Sequence, residues 1–386
     1  MRSEIMGILT QVFSFIMSLI VTLQAALSLP VLSINFRIDT ESTVFESGDS
    51  MYTVMWTTTR PGSGYITYTF DGTDYTVYDA VGGTVRSTDT IHSVRVPKTH
   101  LDNNSYIYHS QYVGTKQAYN AVKGKTIDSE PVYFTGYNGE SEVNALVIAD
   151  VHDEPDLSEK AMSNFTVKPS IIILDGDMAS RMEKKKDFVN ILKYANQFSE
   201  GKIPVAYVRG NHEPRGEYAS EMLRYFRTTT GGLYYTFSYG PLWAVVLDSG
   251  EDKEDSHEEY SGLVDFRSYI AEETKWLGGV EAPDSPYRIA LSHKPELDDL
   301  DGNKWLGMLG DIGIDAVISG HWHTLDLHFR EGTASFYRFI TGPDSDSSKA
   351  AATMFTFSDG SIKAVSYNWK GDCLADESFP VTRTAR

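Results

Sequence analysis

The pattern of apolar and polar positions divides most of the chain into two parts. From Pro30 to Tyr137, short alternating runs rich in Tyr, Thr and Val are separated by turn residues such as Asp71-Gly72. Alternation with a period of two is typical of antiparallel strands with one buried face. About seven such runs predict a β-sandwich of the immunoglobulin or fibronectin type, with Trp56 in its core. Beyond residue 138, apolar strands alternate with helical segments, which predicts an α/β domain.

The α/β part contains six strand runs and four segments with helical spacing. The strand runs are Ala145 to Ala149, Ile171 to Leu174, Ile203 to Val208, Trp243 to Leu247, Arg288 to Leu291 and Ala316 to Ile318. The helical segments are Leu157 to Phe165, Arg181 to Phe198, Glu217 to Phe226 and Val264 to Leu277. Near the end, the turn Asp359-Gly360 between two apolar runs predicts a closing hairpin.

The first 29 residues follow a different pattern. Ile5 to Leu29 is mostly apolar and is interrupted only by uncharged polar residues. Such a segment is typical of a secretory signal or of an uncleaved membrane anchor, because about 20 to 25 apolar residues can span a bilayer. We therefore expect a signal peptide or anchor at 1–29, a sandwich at 30–137 and an α/β domain at 138–386. The protein is expected to be secreted, extracytoplasmic or attached to a membrane through its N-terminal segment.

Charge and cysteine content narrow the classes of partner. The chain has 386 residues, with 34 Lys and Arg against 53 Asp and Glu, so its formal net charge is −19. This charge repels polyanions, and long nucleic acid is therefore not an expected partner. The single cysteine, Cys373, excludes an intramolecular disulfide and cannot by itself form a Cys-rich metal site.

Potential metal ligands follow five of the strand runs. The motifs are Asp150-Val151-His152, Gly176-Asp177, Gly210-Asn211-His212-Glu213, Ser292-His293 and Gly320-His321-Trp322-His323. In α/β domains the carboxyl ends of strands meet in one crevice, so these groups can converge on one point. Each motif alone is weak. Together they predict a metal centre, because unpaired Asp and His buried at strand ends would cost several kcal/mol of desolvation.

The five motifs resemble those of the calcineurin-like metallophosphoesterase superfamily, over Asn144 to about Phe329. The resemblance implies a four-layer fold in which two packed β-sheets are flanked by helices. It also implies a ligand set with one bridging carboxylate. The implied ligands are Asp150, His152 and His323 for the first metal, Asn211, His293 and His321 for the second, and Asp177 for both.

The sandwich followed by this domain resembles purple acid phosphatases and bacterial surface phosphoesterases with a fibronectin-like module. Two positions differ from the purple acid phosphatases. Ser180 stands where they have Tyr, and His152 stands where they have Gly. Without a phenolate to stabilise iron(III), we expect two divalent ions, with manganese, iron and zinc all compatible with mixed oxygen and nitrogen ligands.

The expected activity is hydrolysis of phosphomonoesters or small phosphodiesters by a hydroxide that bridges the two metals. His212, next to an implied ligand, is the candidate general acid for the leaving group. Arg181 and Arg209 lie beside motifs and are candidate phosphate ligands, with a surface position and a structural ion pair as their respective alternatives. Two other functions stay open: a nucleotidase or nuclease of the same superfamily, and a catalytically silent surface-binding protein.

Overall fold

The computed structural model describes residues 10–19, 22, 35–116, 121–298, 304–329, 334–342 and 351–382. Residues 10–19 are helical, and most of the predicted signal or anchor segment lies outside the described residues. No helix in the described ranges is long and apolar enough to cross a membrane.

Strands dominate the first part of the chain, and helices and strands alternate in the second. The strands are β1 (Ile38–Glu46), β2 (Met51–Phe70), β3 (Thr73–Tyr78), β4 (Ala80–Val81), β5 (Thr84–Val85), β6 (Asp89–Pro97), β7 (Asn104–Lys116), β8 (Ala121–Asp128), β9 (Val132–Phe134), β10 (Val143–Ile148), β11 (Ile171–Asp175), β12 (Val205–Val208), β13 (Tyr235–Tyr239), β14 (Leu242–Leu247), β15 (Tyr287–Ser292), β16 (Ala316–Ser319), β17 (Tyr337–Ile340), β18 (Ala351–Ser358), β19 (Ser361–Asn368) and β20 (Cys373–Pro380). The helices are α1 (Lys98–Leu101), α2 (Pro155–Met162), α3 (Lys185–Ser199), α4 (Leu223–Phe226), α5 (Phe266–Leu277) and α6 (Trp305–Ile312), with 3-10 turns at Ala219–Glu221 and Glu258–Tyr260.

The second part consists of two sheets packed face to face between helices. Along β10, Val143, Ala145 and Val147 point toward the second sheet, while Leu146 and Ile148 face α2 and α3. The second sheet has the order β13-β14-β15-β16-β17, and its side chains also alternate between two faces. One face packs on the first sheet, and α5 and α6 cover the other. Because both faces of each sheet are buried, its central strands are nearly continuous apolar runs, as the sequence shows.

The N-terminal part is rich in strands, as predicted, and Trp56 is fully buried in an apolar cluster there. Hydrogen bonding does not set these strands apart as a sandwich of their own. β1 pairs in parallel with β12 at Phe45 and Val205, and antiparallel with β2, so the N-terminal strands continue the sheet that contains β10, β11 and β12. Ten of the 13 strands of this first sheet follow the order β20-β19-β18-β10-β11-β12-β1-β2-β7-β8, while β3 and β6 pair with β2 and β9 pairs with β7. The boundary at residue 138 stays a prediction, because the hydrogen-bonded sheet continues across it.

The sequence-based prediction differs from the structure in several elements. It lacks β13, β17, β20 and α6. The helix predicted from Glu217 to Phe226 is wrong: the segment holds only the 3-10 turn and the single turn of α4. The helix predicted from Arg181 begins at Lys185, where the Asp187 carboxylate accepts the backbone N–H of Lys184 at 2.8 Å. Local hydrogen bonding thus sets boundaries that apolar spacing does not encode.

Buried polar contacts join the N-terminal strands to the second part of the chain. Asp89 of β6 accepts hydrogen bonds from Lys185 at 2.6 Å and from the Tyr225 hydroxyl at 2.7 Å. Burial would raise the pKa of Asp89, but these donors outweigh it and lower the pKa to about 2. Asp89 is therefore charged at neutral pH, and its charge stabilises the junction.

We predict that Asp89→Asn lowers the free energy of unfolding at pH 7 by about 1 to 3 kcal/mol, because a charged acceptor for two donors is lost. The native pKa lies below the unfolded value of about 3.9, so this contribution is present above pH 4 to 5 and disappears toward pH 2. Urea unfolding between pH 7 and pH 3 should show the two stability curves converging as the pH falls. Asp39→Asn is the control, because the exposed Asp39–Lys193 pair, 3.2 Å apart, joins the same two parts. Equal effects of the two substitutions at pH 7 would contradict the prediction.

Candidate metal centre

The candidate ligands lie in the turns that follow the carboxyl ends of β10, β11, β12, β15 and β16. Several of these turns are strained. Positive φ angles occur at Asp150 (55°), His152 (45°), Asp177 (54°), His321 (72°) and His323 (49°). For residues with a Cβ this conformation costs roughly 1 to 2 kcal/mol each and persists only where the surroundings impose it. Five of the fourteen non-glycine residues with positive φ in the described part of the chain are thus candidate ligands.

Two glycines of the motifs are required by close packing. A Cβ on Gly176 would lie 2.4 Å from the His293 ring, and one on Gly210 would lie 2.2 Å from the Asp177 carboxylate. Gly176 also has a φ of +76°, which glycine adopts without steric cost. These positions let the ligand-bearing turns approach one another.

One group of side chains contains Asp150, His152 and His323. The Nε2 atom of His323 is 3.3 Å from Asp150 Oδ1 and 3.2 Å from His152 Nε2. Two ligand atoms held about 2.1 Å from one divalent ion lie roughly 3.0 to 3.5 Å apart, so these separations fit one ion. The structure brings together the three residues expected at the first metal position.

A second, more deeply buried group contains Asp177, His293 and His321. His293 Nδ1 donates to the backbone carbonyl of Asp175 at 2.6 Å, which leaves Nε2 toward the centre of the site. There Nε2 lies 3.2 Å from Asp177 Oδ2, close enough for an ion pair but without hydrogen-bond geometry. Asp177 also belongs to a third group with His152 and His212, so it lies between the two positions.

Several buried polar atoms at this point lack hydrogen-bond partners within the described part of the chain. They are Asp150 Oδ1, Asn211 Oδ1 and His293 Nε2. Buried polar atoms are normally paired, since an unpaired one costs about 1 to 3 kcal/mol. Because these oxygen and nitrogen atoms belong to the predicted ligand set, the residues present fit two divalent ions.

The electrostatics of the site favour cations. Burial lowers the pKa of His152 and of His321, so both rings are neutral ligands at pH 7. Burial would also lower the pKa of His293, but Asp177 beside it holds that pKa well above its usual value. Burial alone would raise the pKa of Asp177, and the neighbouring His293 keeps it well below its usual range. The carboxylates thus create a negative potential that a divalent ion would satisfy.

His212 lies at the partly exposed edge of the site. Its Nδ1 donates to the backbone carbonyl of Ser180 at 2.9 Å, and its backbone N–H donates to Asp177 Oδ1 at 2.9 Å. Its Nε2 accepts from Arg215 at 3.0 Å and lies 3.8 Å from Asp177 Oδ2. The ring is therefore fixed with Nε2 directed toward the ligands.

Glu213 is fully buried and holds the turns after β11 and β12 together. Its carboxylate accepts the backbone N–H groups of Gly210 (2.9 Å), Asp177 (3.1 Å), Met178 (2.7 Å) and Ala179 (3.3 Å). Burial raises the pKa of Glu213 to about 7, and the backbone donors oppose this shift by stabilising the charged form. Glu213 therefore positions Asp177 through its backbone.

The arginines predicted to bind phosphate occupy other environments. The Arg181 side chain is 68% exposed and lies 3.5 Å from Glu183. Arg209 is buried, stacks on Phe266 and Tyr269, and pairs with Asp248 at 2.8 Å. These contacts match the two alternatives, a surface residue and a structural ion pair.

Arg215 is the arginine that the structure places at the site, through its contact with His212. It lies three residues beyond His212, so the distance from the motif along the chain could have revealed it. Asp252 is a second residue missing from the sequence-based set. It lies on the loop after β14, with a carboxylate oxygen 2.9 Å from Asn211 Nδ2. No short motif marks this loop, so only the fold reveals it.

We predict that Glu213→Gln weakens metal binding without removing a ligand. The amide offers one acceptor and turns an NH₂ donor toward N–H groups, so the Asp177 turn loses its anchor. The free energy of unfolding should fall by about 2 to 4 kcal/mol, and metal affinity by roughly 10- to 100-fold. Denaturant titration and metal titration of the metal-free protein measure both quantities. Glu183→Gln, in an exposed ion pair, is the control, and native metal affinity in Glu213→Gln would refute the anchoring role.

Sequence comparison identifies relatives over about half of the chain. Mouse serine/threonine-protein phosphatase CPPED1 is 24% identical over 188 residues, which are 42% of this chain and 56% of that protein. The chain thus spans just over half the length of this relative. The uncharacterized protein YpbG of Bacillus subtilis is 22% identical over 219 residues, covering 56% of this chain and 74% of that protein.

Two solved structures are similar at low sequence identity. The structure of PhoD has 11% identity and a TM-score of 0.49, and the match covers 89% of this chain and 92% of that one. A dimetal phosphatase from Danio rerio has 13% identity and a TM-score of 0.44, over 62% of this chain and 99% of that one. The sequence profile of the calcineurin-like phosphoesterases matches residues 143–325, a range that includes every candidate ligand. Residues 143–325 therefore form a calcineurin-like metallophosphoesterase domain.

Proposed function

We propose that this chain is a metal-dependent phosphoesterase that hydrolyses phosphomonoesters or small phosphodiesters. The observation that carries the proposal is the position of Asp177, shared between groups of His and Asp side chains that meet at the strand ends. A carboxylate between two sets of nitrogen and oxygen ligands suits a pair of divalent ions. Manganese, iron(II) and zinc all accept such ligands.

The residues assigned to the two positions are those named from the sequence. Asp150, His152 and His323 would hold one ion, Asn211, His293 and His321 the other, and Asp177 both. When bound, two divalent ions activate a water molecule for attack on phosphorus and neutralise charge on the phosphate oxygens. The unpartnered Asp150 Oδ1, Asn211 Oδ1 and His293 Nε2 support this assignment.

His212 is the proposed proton donor to the leaving oxygen. Because its Nδ1–H is held by the Ser180 carbonyl, only Nε2 can carry the transferred proton, and it can do so only once Arg215 releases it. Arg215 touches this same nitrogen and keeps part of its guanidinium exposed. We propose that Arg215, and not Arg181 or Arg209, binds a phosphate oxygen when an ester occupies the site.

A phosphorylated protein is the second candidate substrate. It is favoured by the similarity to CPPED1, which is named a serine/threonine-protein phosphatase. The net charge of −19 disfavours long nucleic acid, and the full set of ligands disfavours a catalytically silent binding protein. The apolar segment at residues 5–29 supports an exported or membrane-attached protein.

We predict that Asp177→Asn reduces hydrolysis of p-nitrophenyl phosphate by at least roughly 10³-fold, because the shared carboxylate is lost. Metal content measured by mass spectrometry should fall, while the circular dichroism spectrum stays native. Chelation should abolish the activity of the unchanged protein, and added manganese should restore it. Asp74→Asn, on the exposed face of β3, is the matched control. Near-native turnover in Asp177→Asn would contradict the assignment of Asp177 as the shared metal ligand.

For His212→Ala we predict a loss that depends on the leaving group. Alkyl phosphates need a proton on the departing oxygen, so their turnover should fall by about 10²- to 10⁴-fold. p-Nitrophenyl phosphate, with a stable leaving group, should lose far less, and metal content should not change. The measurement is turnover against leaving-group pKa for both proteins. Equal losses across the series would contradict the general-acid role.

A further inference from the structure

The loop after β14 enters the metal centre at Asp252. One oxygen of this side chain, Oδ2, accepts from Asn211 Nδ2 at 2.9 Å and from Arg215 Nη2 at 3.3 Å. The other oxygen, Oδ1, is buried, has no hydrogen-bond partner among the described residues and lies 3.4 Å from His321 Nε2. Asp252 is therefore in contact with two of the residues assigned to the second metal position.

We propose that Asp252 is a further ligand at that position, through Oδ1. The inference rests on the proposed dinuclear centre, and it adds a second carboxylate to a set that otherwise has Asp177, Asn211, His293 and His321. The added oxygen would make this position harder than the one at Asp150, and it would raise the preference for manganese over zinc.

The spacing of Asp252 Oδ1 and His321 Nε2 fits two ligands of one ion. These atoms are 3.4 Å apart. Atoms bound to the same divalent ion at about 2.1 Å are separated by roughly 3.0 to 3.5 Å. The separation exceeds that of a short hydrogen bond, and no described residue gives Oδ1 a hydrogen bond.

The amide of Asn211 gives an independent indication. Asn211 is buried, and its Oδ1 has no hydrogen-bond partner in the described ranges. A carboxylate oxygen accepts from the NH₂ end of an amide but not from its carbonyl end. Asp252 Oδ2 therefore fixes the Asn211 amide with Nδ2 toward Asp252 and Oδ1 on the opposite side. The side chain that contributes Oδ1 to the centre thus also orients the oxygen of a neighbouring ligand.

Asp252 is held in place by surrounding ion pairs. Arg215 is clamped by Glu251 through two contacts, at 2.9 and 2.8 Å, and Glu251 also accepts from the Tyr260 hydroxyl at 3.1 Å. Lys294, the neighbour of His293, donates to the Glu251 carbonyl at 2.7 Å. The acidic run from Glu251 to Glu259 is therefore divided: its first two carboxylates point into the site, and Glu258 and Glu259 are exposed.

The test compares Asp252→Asn with Glu258→Gln, an equal change of charge on the exposed part of the same loop. Metal-free full-length proteins are titrated calorimetrically with Mn²⁺ and, separately, with Zn²⁺. Thermal unfolding without metal confirms that each variant is folded. We expect two Mn²⁺ per chain in the unchanged protein and in Glu258→Gln. In Asp252→Asn the first site should be retained and the second weakened roughly 10- to 100-fold for Mn²⁺, with a smaller loss for Zn²⁺.

The choice of Asp252→Asn separates a ligand from a residue that only positions Asn211. The amide oxygen of the substituted side chain can still accept from Asn211 Nδ2, while the negative charge is gone. Unchanged Mn²⁺ affinity in Asp252→Asn overturns the proposal, and so does an equal loss for Mn²⁺ and Zn²⁺. If the unchanged protein binds two metals but hydrolyses no phosphoester, the function proposed above fails while this assignment stands. If it binds no pair of ions, both fail.

Discussion

The buried carboxylate of Asp177 is the feature on which the rest of the site depends. A charge in this position must be compensated, and His293, the backbone N–H of His212 and the Glu213-bound turn together hold it. The close approach of the turns explains why Gly176 and Gly210 have no side chain there. Stability alone would favour apolar residues at this point, so the strain and buried charge indicate selection for binding.

The N-terminal strands contribute to this arrangement indirectly. Without β1, the strand β12 would be an edge strand of its sheet, and β12 leads directly into Asn211 and His212. An edge strand has unpaired backbone groups and is easily deformed. Pairing with β1, together with the buried Asp89 contacts to Lys185 and Tyr225, fixes the framework behind the second metal position. The N-terminal strands thus support the strand that carries candidate ligands at its end.

The convergence of the candidate ligands could be predicted because it follows from a local rule: polar residues at the ends of apolar strands meet at one sheet edge. The pairing of the N-terminal strands could not be predicted, because alternation shows that Met51 to Trp56 is a strand but does not identify the strand it pairs with. Adjacency to a motif likewise does not show which way a side chain points, and the Arg181 side chain lies at the surface. Asp252 joins the site only through tertiary structure, about 40 residues beyond Asn211.

The negative charge of the site also determines which kind of ion can bind there first. Asp150, Asp175 and Asp177 surround His293, and Asp252 approaches from the opposite loop, so the centre attracts cations and repels a phosphate dianion. Arg215 offsets little of this, because Glu251 and Asp252 already engage it. The proposed hydrolysis of phosphoesters therefore requires that divalent ions first reverse the local potential. The net charge of −19 strengthens the repulsion of anions by the metal-free protein. We therefore expect metal occupancy, and not substrate concentration alone, to control whether the proposed substrate can bind.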